Sequence, residues 1–266
     1  MTEAPAPPEA SRRPGPWALV MSAVVYPLLF LQTLVFILLA PVVLPLARFT
    51  TGQSLDRIVR YFIRFYGKVW MVIIAPFTRF EKIDLTLDHF PQPCIIVLNH
   101  RSLFDIFCMG ALPFSNGGFA LRSWPFRMFW YAPFMRLARY VDMESLGREE
   151  GLRRCRELLA EHISLMFFPE GHRSRDGRLG RFYSGAFKLA VETNVPIVPV
   201  CISGTDRLLP PGGLLLAPTT IRLQALSAVD PSAFFGESGH VALRKTVKAA
   251  MAEALERHTH GFRSSK

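Results

Sequence analysis

The chain has 266 residues, half of them hydrophobic, with 31 Lys and Arg against 21 Asp and Glu and a formal net charge of +10. This length suffices for one large domain or two small ones, and the charge favours an anionic partner such as a phospholipid surface or a phosphorylated substrate. The high hydrophobic content argues against nucleic acid as that partner, and the four isolated cysteines lack metal-ligand spacing and are typical of reduced core positions facing the cytoplasm.

A long uncharged segment follows a Pro- and Ala-rich leader, residues 1–16, which we expect to be disordered. No charged residue lies between Arg13 and Arg48, a stretch of about 34 residues where roughly 20 apolar ones suffice to cross a bilayer. The segment is too long for the apolar part of a signal peptide and lacks an A-x-A cleavage site, so we expect it in the mature protein. Prolines interrupt it and arginines flank both ends, so a re-entrant helical hairpin and a single span fit equally well.

The next stretch, which begins at Ser54, has the pattern of an amphipathic helix. One face carries basic residues at helical spacing and the opposite face is apolar; the basic residues are Arg57, Arg60, Arg64 and Lys68. We interpret this stretch as a helix in the membrane interface, its basic face toward anionic head groups, which makes residues 17–76 a membrane anchor. The alternative is an ordinary amphipathic helix packed on a soluble domain.

From residue 77 to residue 258 short apolar runs alternate with helical patterns. Six runs have the composition of strands: FEKIDLTL, CIIVL, GGFALR, ISLMFF, VPIVPVCI and TIRLQALSAV. Helical patterns lie near residues 102–112, 124–138, 147–161, 184–194 and 239–258. The alternation predicts an α/β domain with a mixed, largely parallel sheet flanked by helices. Residues 259–266 are predicted to form a flexible tail, with His258 and His260 on the solvated surface.

An imidazole and a carboxylate follow the predicted strand CIIVL in the motif NHRSLFD. Ser102 and Asp105 have the spacing of a capping box, which would explain both residues without chemistry. His100 is left unexplained by that interpretation. A histidine held at one ring nitrogen by Asp105 can present the other nitrogen to a substrate hydroxyl and act as a general base. The spacing alone leaves both interpretations open.

A second motif, FPEGHRS, follows the predicted strand ISLMFF. It can be a turn with a solvated arginine. Alternatively, Gly171 lets backbone approach a ligand, and Arg173 grips a phosphate with two hydrogen bonds.

The order NHRSLFD, FPEGHRS and VPIVPV over residues 80–225 resembles the glycerolipid acyltransferase family. The resemblance implies that family's fold behind a helical anchor, His100 as the base that deprotonates an acceptor hydroxyl, and Asp105 as its orienting partner. It also implies that Glu170, Gly171 and Arg173 match the acceptor-binding motif. The implied chemistry needs no metal, cofactor or covalent acyl-enzyme.

Two departures from the family pattern concern the acceptor head group. Met143 stands in VDM where the family often has arginine, so that Arg122 or Arg139 would have to assist Arg173 in holding a phosphate. His172 replaces the more usual threonine, a change without an interpretation in the sequence. The first-choice acceptor is 1-acyl-sn-glycerol-3-phosphate, and a lysophospholipid or lyso-aminolipid is the alternative.

The implied partners are membrane phospholipid, a lysolipid acceptor and a donor that is either acyl-CoA or acyl carrier protein. We expect the catalytic domain on the cytoplasmic side of a bacterial inner membrane. A serine lipase would also combine histidine with aspartate, but the chain has no G-x-S-x-G motif. A non-catalytic membrane adaptor is disfavoured by the intact motif residues.

Overall fold

The computed structural model describes residues 15–174, 178–210 and 212–263, with the side chains of 259–263 excepted. Residues 1–14 of the predicted leader and 264–266 of the predicted tail lie outside this range. The helices are α1 (Pro16–Thr51), α2 (Leu55–Ile74), α3 (Asp105–Cys108), α4 (Trp124–Arg127), α5 (Ala132–Leu137), α6 (Gly147–Ala160), α7 (Gly185–Thr193), α8 (Thr205–Leu208) and α9 (Gly239–Arg263). The strands are β1 (Thr78–Ile83), β2 (Ile95–Leu98), β3 (Gly117–Leu121), β4 (Val141–Asp142), β5 (Ser164–Phe167), β6 (Ile197–Ser203) and β7 (Thr219–Ala225).

The described strands form one seven-stranded sheet in the order β1-β7-β6-β2-β5-β3-β4. β2 pairs in parallel with β5 on one side and β6 on the other, whereas β6 and β7 are antiparallel. The mixed, largely parallel sheet is therefore confirmed. Five strands share one direction, which brings their carboxyl ends to one edge. β4 and α8 were not predicted, because elements of two and four residues carry no periodicity.

The sheet separates two apolar cores. Ile96 and Leu98 of β2 face the side covered by α1 to α5, while Ile95 and Val97 face the side covered by α6, α7 and α9. Strand side chains alternate between faces, so a strand buried on both sides is a continuous apolar run. All four cysteines are free and buried.

The uncharged amino-terminal segment forms a single helix, α1, which folds back on α2. Gly52 ends it in the left-handed region, with φ 67°, and its N–H donates to the Arg48 carbonyl. Three prolines lie inside α1 without ending it. We predicted either a hairpin within the uncharged segment or a single span. The structure instead has one hairpin, formed by α1 and α2 together.

One side of α1 is apolar and uncovered. Eight of its large apolar side chains are more than half exposed: Trp17, Leu19, Phe30, Leu31, Leu38, Val42, Leu46 and Phe49. The helix is long and apolar enough to cross a membrane. Because so large an exposed apolar surface is unfavourable in water, α1 associates with a membrane.

The prediction that the basic face of α2 meets lipid head groups is wrong for two of its four residues. Arg60 is 3% exposed and donates to Asp56, Asn116 and the Ala138 carbonyl. Arg64 donates to the Leu112 carbonyl. Both guanidinium groups supply donors to loop oxygens that α2 covers, and buried acceptors require such partners. Only Arg57 and Lys68 of this face are exposed.

The carboxy-terminal helix contradicts two further predictions. α9 extends to Arg263, so residues 259–263 are helical instead of a flexible tail. His258 is 4% exposed, with Nδ1 3.1 Å from Ser203 Oγ and Nε2 2.8 Å from Gln224 Oε1. Burial, together with nearby arginines, lowers the pKa of His258 to about 4.

Acid should destabilise the protein through His258. The unfolded chain takes up this proton near pH 6.5 and the folded chain only near pH 4, so stability falls as pH drops from 6.5 to 4. The loss should reach about 3 kcal/mol at pH 4. We expect thermal melts of His258→Gln to show a correspondingly weaker pH dependence than those of the wild type. Identical pH profiles for wild type and His258→Gln would contradict the assignment.

Candidate active site

His100 and Asp105 form a hydrogen-bonded pair just beyond the carboxyl end of β2. His100 Nδ1 lies 2.8 Å from Asp105 Oδ2. The same carboxylate oxygen accepts the backbone N–H groups of Arg101 at 2.6 Å and Ser102 at 2.8 Å. Asp105 is fully buried, and its second oxygen has no partner among the described residues. The capping and the chemical interpretations are therefore not alternatives, because one oxygen serves both.

The orientation of the His100 ring is set from two sides. A carboxylate only accepts hydrogen bonds, so Nδ1–H donates to Asp105, and Nε2 is the ring nitrogen left for a substrate. Phe168 packs on the ring, with 4.3 Å between centroids. His100 lines a cavity of about 600 Å³. An imidazole held in this way can accept a proton from a group in that cavity.

Glu170 lies beneath the cavity and ties the two motifs together. It is 1% exposed, with Oε1 accepting the His100 N–H at 2.9 Å and Oε2 accepting the Gly180 N–H at 2.7 Å. The Ser174 N–H donates to the His100 carbonyl at 2.8 Å. Both Glu170 oxygens are thus occupied by backbone donors. This placement differs from the acceptor contact that the family resemblance implied and indicates that Glu170 positions His100.

The other predicted binding residues line the cavity. Gly171 has φ 70°, a backbone conformation that favours glycine, and a Cβ there would lie 3.0 Å from the ring of the exposed Tyr183. Arg173 is exposed and makes no hydrogen bond or ion pair with the described part of the chain. Arg122 reaches the same cavity and pairs with Glu144 at 3.0 Å. Two guanidinium groups at one cavity can bind a phosphate.

The structure accounts for the departures noted in the sequence. His172 Nδ1–H donates to the Glu170 carbonyl at 2.8 Å, which braces the turn that carries Gly171. Met143 lines the cavity and adds no charge to it. Arg139 does not line this cavity: it precedes β4, lies at the amino ends of the parallel strands and pairs with Glu161. The suggestion that Arg139 assists in phosphate binding is wrong.

Asn99 is a site residue that the sequence analysis missed. Its Nδ2 donates to the Ile202 carbonyl at 2.8 Å, and its Oδ1 accepts the Ile202 N–H at 2.7 Å. This amide continues the pairing of β2 with β6 by one residue and fixes the chain just before His100. An asparagine directly after a buried strand was its only signal in the sequence.

A second cavity, about 180 Å³ in volume, was also not predicted. It lies between α2, α3, α4 and β3, and its walls are almost entirely apolar. It shares five lining residues with the cavity at His100: Leu103, Ile106, Leu121, Trp124 and Pro125. The two cavities are therefore contiguous. An apolar chain whose end lies at His100 would find a water-excluding pocket beside it.

Comparisons with known proteins find acyltransferases among the proteins similar to this chain. Residues 82–203 match the model of the family described as Acyltransferase. A chloroplastic 1-acyl-sn-glycerol-3-phosphate acyltransferase of Brassica napus is 38% identical over 170 residues, 59% of this chain and 47% of the relative. The human 1-acyl-sn-glycerol-3-phosphate acyltransferase beta is 31% identical over 182 residues, 65% of this chain and 60% of the relative. The match thus spans only about half of these relatives' length.

A solved structure covers more of the chain. The crystal structure of the 1-acyl-sn-glycerophosphate (LPA) acyltransferase PlsC from Thermotoga maritima superposes with a TM-score of 0.67 at 26% identity. The superposition covers 88% of this chain and 98% of that one. The similarity therefore includes the sheet, the helices around it and helical sequence before residue 82.

Removing the charge of Glu170 should loosen the His100 loop. Glu170→Gln leaves a buried backbone N–H facing an amide donor, so we expect a loss of about 1–3 kcal/mol in the free energy of unfolding. Amide hydrogen exchange at His100 and Gly180 should accelerate. The matched control, Glu192→Gln, removes surface ion pairs only and should cost under about 1 kcal/mol. Unchanged exchange at both amides would refute the positioning role.

Proposed function

We propose that the chain is a member of the glycerolipid acyltransferase family and that it transfers a fatty acyl group from an acyl thioester to the free hydroxyl of 1-acyl-sn-glycerol-3-phosphate, giving phosphatidic acid. The single observation that carries this proposal is the oriented His100–Asp105 pair, whose histidine lines a cavity rimmed by arginines, with an apolar cavity next to it. An inert adaptor would not require that combination, and a serine lipase would need in addition the G-x-S-x-G motif that the chain lacks.

The chemistry assigns one role to each ring nitrogen of His100. Nε2 accepts the proton of the acceptor hydroxyl while its oxygen attacks the thioester carbonyl. The charge of Asp105 stabilises the imidazolium that forms at Nδ1–H. As the tetrahedral intermediate collapses, the carbon–sulfur bond breaks, and the proton on Nε2 passes to the departing thiolate. The products are an ester and a free thiol, and the histidine returns to its starting state.

The two cavities divide the substrates between them. In this proposal Arg173 and Arg122 bind the phosphate of the acceptor, and Gly171 lets it approach the backbone. The apolar cavity receives the acyl chain of the donor, which is acyl-CoA or acyl carrier protein. Both donors are anionic, and the net charge of +10 favours their encounter. Met143 on the cavity wall supports a second candidate acceptor, a lysophospholipid or lyso-aminolipid that needs fewer cations.

The proposed location follows from the anchor and the thiols. α1 attaches the domain to a membrane, so the active site lies close to lipid acceptors. We place the domain on the cytoplasmic side of a bacterial inner membrane, which fits four free buried cysteines and the cytoplasmic supply of acyl thioesters.

Changes to the dyad test the chemistry directly. His100→Ala should reduce acyl transfer by at least about 10²- to 10⁴-fold, and Asp105→Asn should act similarly because it removes the charge that stabilises imidazolium. The measurement uses purified protein, labelled acyl-CoA and a panel of lysolipids, so that transfer, hydrolysis and inertness give different products. Near-normal turnover by a folded His100→Ala protein would end the proposal. Release of free fatty acid without transfer would point to a hydrolase instead.

Changes to Arg173 test the acceptor. Arg173→Ala should raise the KM for a phosphate-bearing acceptor by about tenfold or more, since a charge-assisted hydrogen bond contributes roughly 1.5–3 kcal/mol, while kcat changes little. The exposed Arg257→Ala, distant in sequence and paired with Glu253, is the matched control. An unchanged acceptor KM for Arg173→Ala would count against its phosphate role.

A further inference from the structure

A narrow groove on the outer surface leads toward the apolar cavity. α1 contributes Thr33, Phe36 and Ile37 to it, and the remaining walls come from α2 and from residues 130–135. Its volume is about 40 Å³, and no polar surface lines it. The groove shares four residues with the apolar cavity: Ile63, Tyr66, Tyr131 and Met135. Groove, apolar cavity and catalytic cavity therefore adjoin one another in this order.

The groove opens at the border of the lipid-facing side of α1. Thr33, Phe36 and Ile37 are half-buried, and the neighbouring Leu34 and Leu38 are exposed. On the opposite wall, Trp130 follows Phe129, which is 81% exposed. Exposed aromatic residues next to an apolar helix are typical of contact with lipid. When the exposed side of α1 is immersed in a bilayer, the groove would therefore open toward acyl chains.

Two tyrosines form the partition between groove and cavity. The Tyr66 hydroxyl lies 2.8 Å from Thr33 Oγ1, and Tyr131 lines the groove and the apolar cavity together with Tyr66. Gln32 Nε2 donates to the Tyr66 carbonyl at 2.7 Å, which adds a second tie between α1 and α2 at this level. Two side chains of α1 thus tie Tyr66 in place, one through its hydroxyl and one through its backbone carbonyl.

We propose that this partition is a lateral gate through which the newly transferred acyl chain leaves the apolar cavity directly into the bilayer. The inference rests on the proposed function. After transfer, the chain in the apolar cavity is covalently joined to a lipid whose first chain belongs in the membrane. Withdrawal through the arginine-rimmed cavity would expose the new chain to water at a cost that grows with every methylene group. Sideways movement between Tyr66 and Tyr131 keeps it in apolar surroundings throughout.

The gate is tested by filling the groove and varying the donor. Ile37→Trp places a large ring in the groove, whereas Leu38→Trp, one residue away, points its ring toward lipid and serves as the matched control. With a palmitoyl donor, Ile37→Trp should form the first product at the wild-type rate and then turn over about tenfold more slowly, because release becomes limiting. With an octanoyl donor, whose chain is half as long, we expect a much smaller difference between the three proteins.

Three outcomes overturn the gate in a protein that transfers acyl groups. They are unchanged palmitoyl turnover by a folded Ile37→Trp protein, equal losses with both donors, and an equal loss in Leu38→Trp. Thermal melts that match those of Leu38→Trp establish folding, and Ile37→Phe replaces Ile37→Trp if the melts differ.

A second measurement does not need enzyme activity. It therefore distinguishes a failure of the gate from a failure of the proposed function. Phosphatidylcholine vesicles with brominated acyl chains quench tryptophan fluorescence on contact. The quenched fraction should fall in Trp130→Phe relative to wild type if the groove meets the bilayer. Equal quenching in the two proteins would show that the groove does not contact lipid, and this result would also contradict the gate.

Discussion

One carboxylate oxygen, Asp105 Oδ2, organises the active site by accepting three N–H groups at once. Two of them are backbone donors that would otherwise be orphaned where the chain turns from β2 into α3, and the third is His100 Nδ1. Because Asp105 is buried, these bonds form in surroundings where charge-assisted hydrogen bonds are strong. The loop geometry and the protonation of the base therefore depend on the same atom, and neither can change without the other.

A second carboxylate repeats this principle one strand away. Glu170 accepts the His100 N–H and the Gly180 N–H, so it joins the ends of β2 and β5 and the loop that follows. Asn99 makes the corresponding link to β6. Three neighbouring parallel strands are thus bound to each other at their carboxyl ends, where ligands bind in open α/β sheets. His100 is held by its ring and by its backbone, and such double restraint is what a preorganised base requires.

The sequence predicted those parts of the molecule that local pattern determines. All six predicted strands exist, because a strand such as β2, buried on both faces, is a continuous apolar run. The dyad was found because both residues lie on one turn. Features that depend on tertiary contact were missed or misread. Arg60 has the spacing of a surface residue, yet its acceptors Asn116 and Ala138 are distant in sequence. His258 was assigned to the surface because its partners, Ser203 and Gln224, lie on other elements. The apolar cavity was missed for the same reason, since it is built from several elements.

The membrane helix and the enzyme domain share one core. Met21 and Val25 of α1 belong to the same apolar cluster as Leu216 and Ile221, and Ser22 accepts the Leu216 N–H at 2.7 Å. The anchor is therefore not a tether that can be cut away to yield a water-soluble catalytic fragment. Removal of the residues before residue 52 would delete α1. The apolar side chains of α2 that pack against α1 would then be exposed. Biochemical work on this protein consequently needs detergent or lipid from the first extraction step, even when only the chemistry at His100 is of interest.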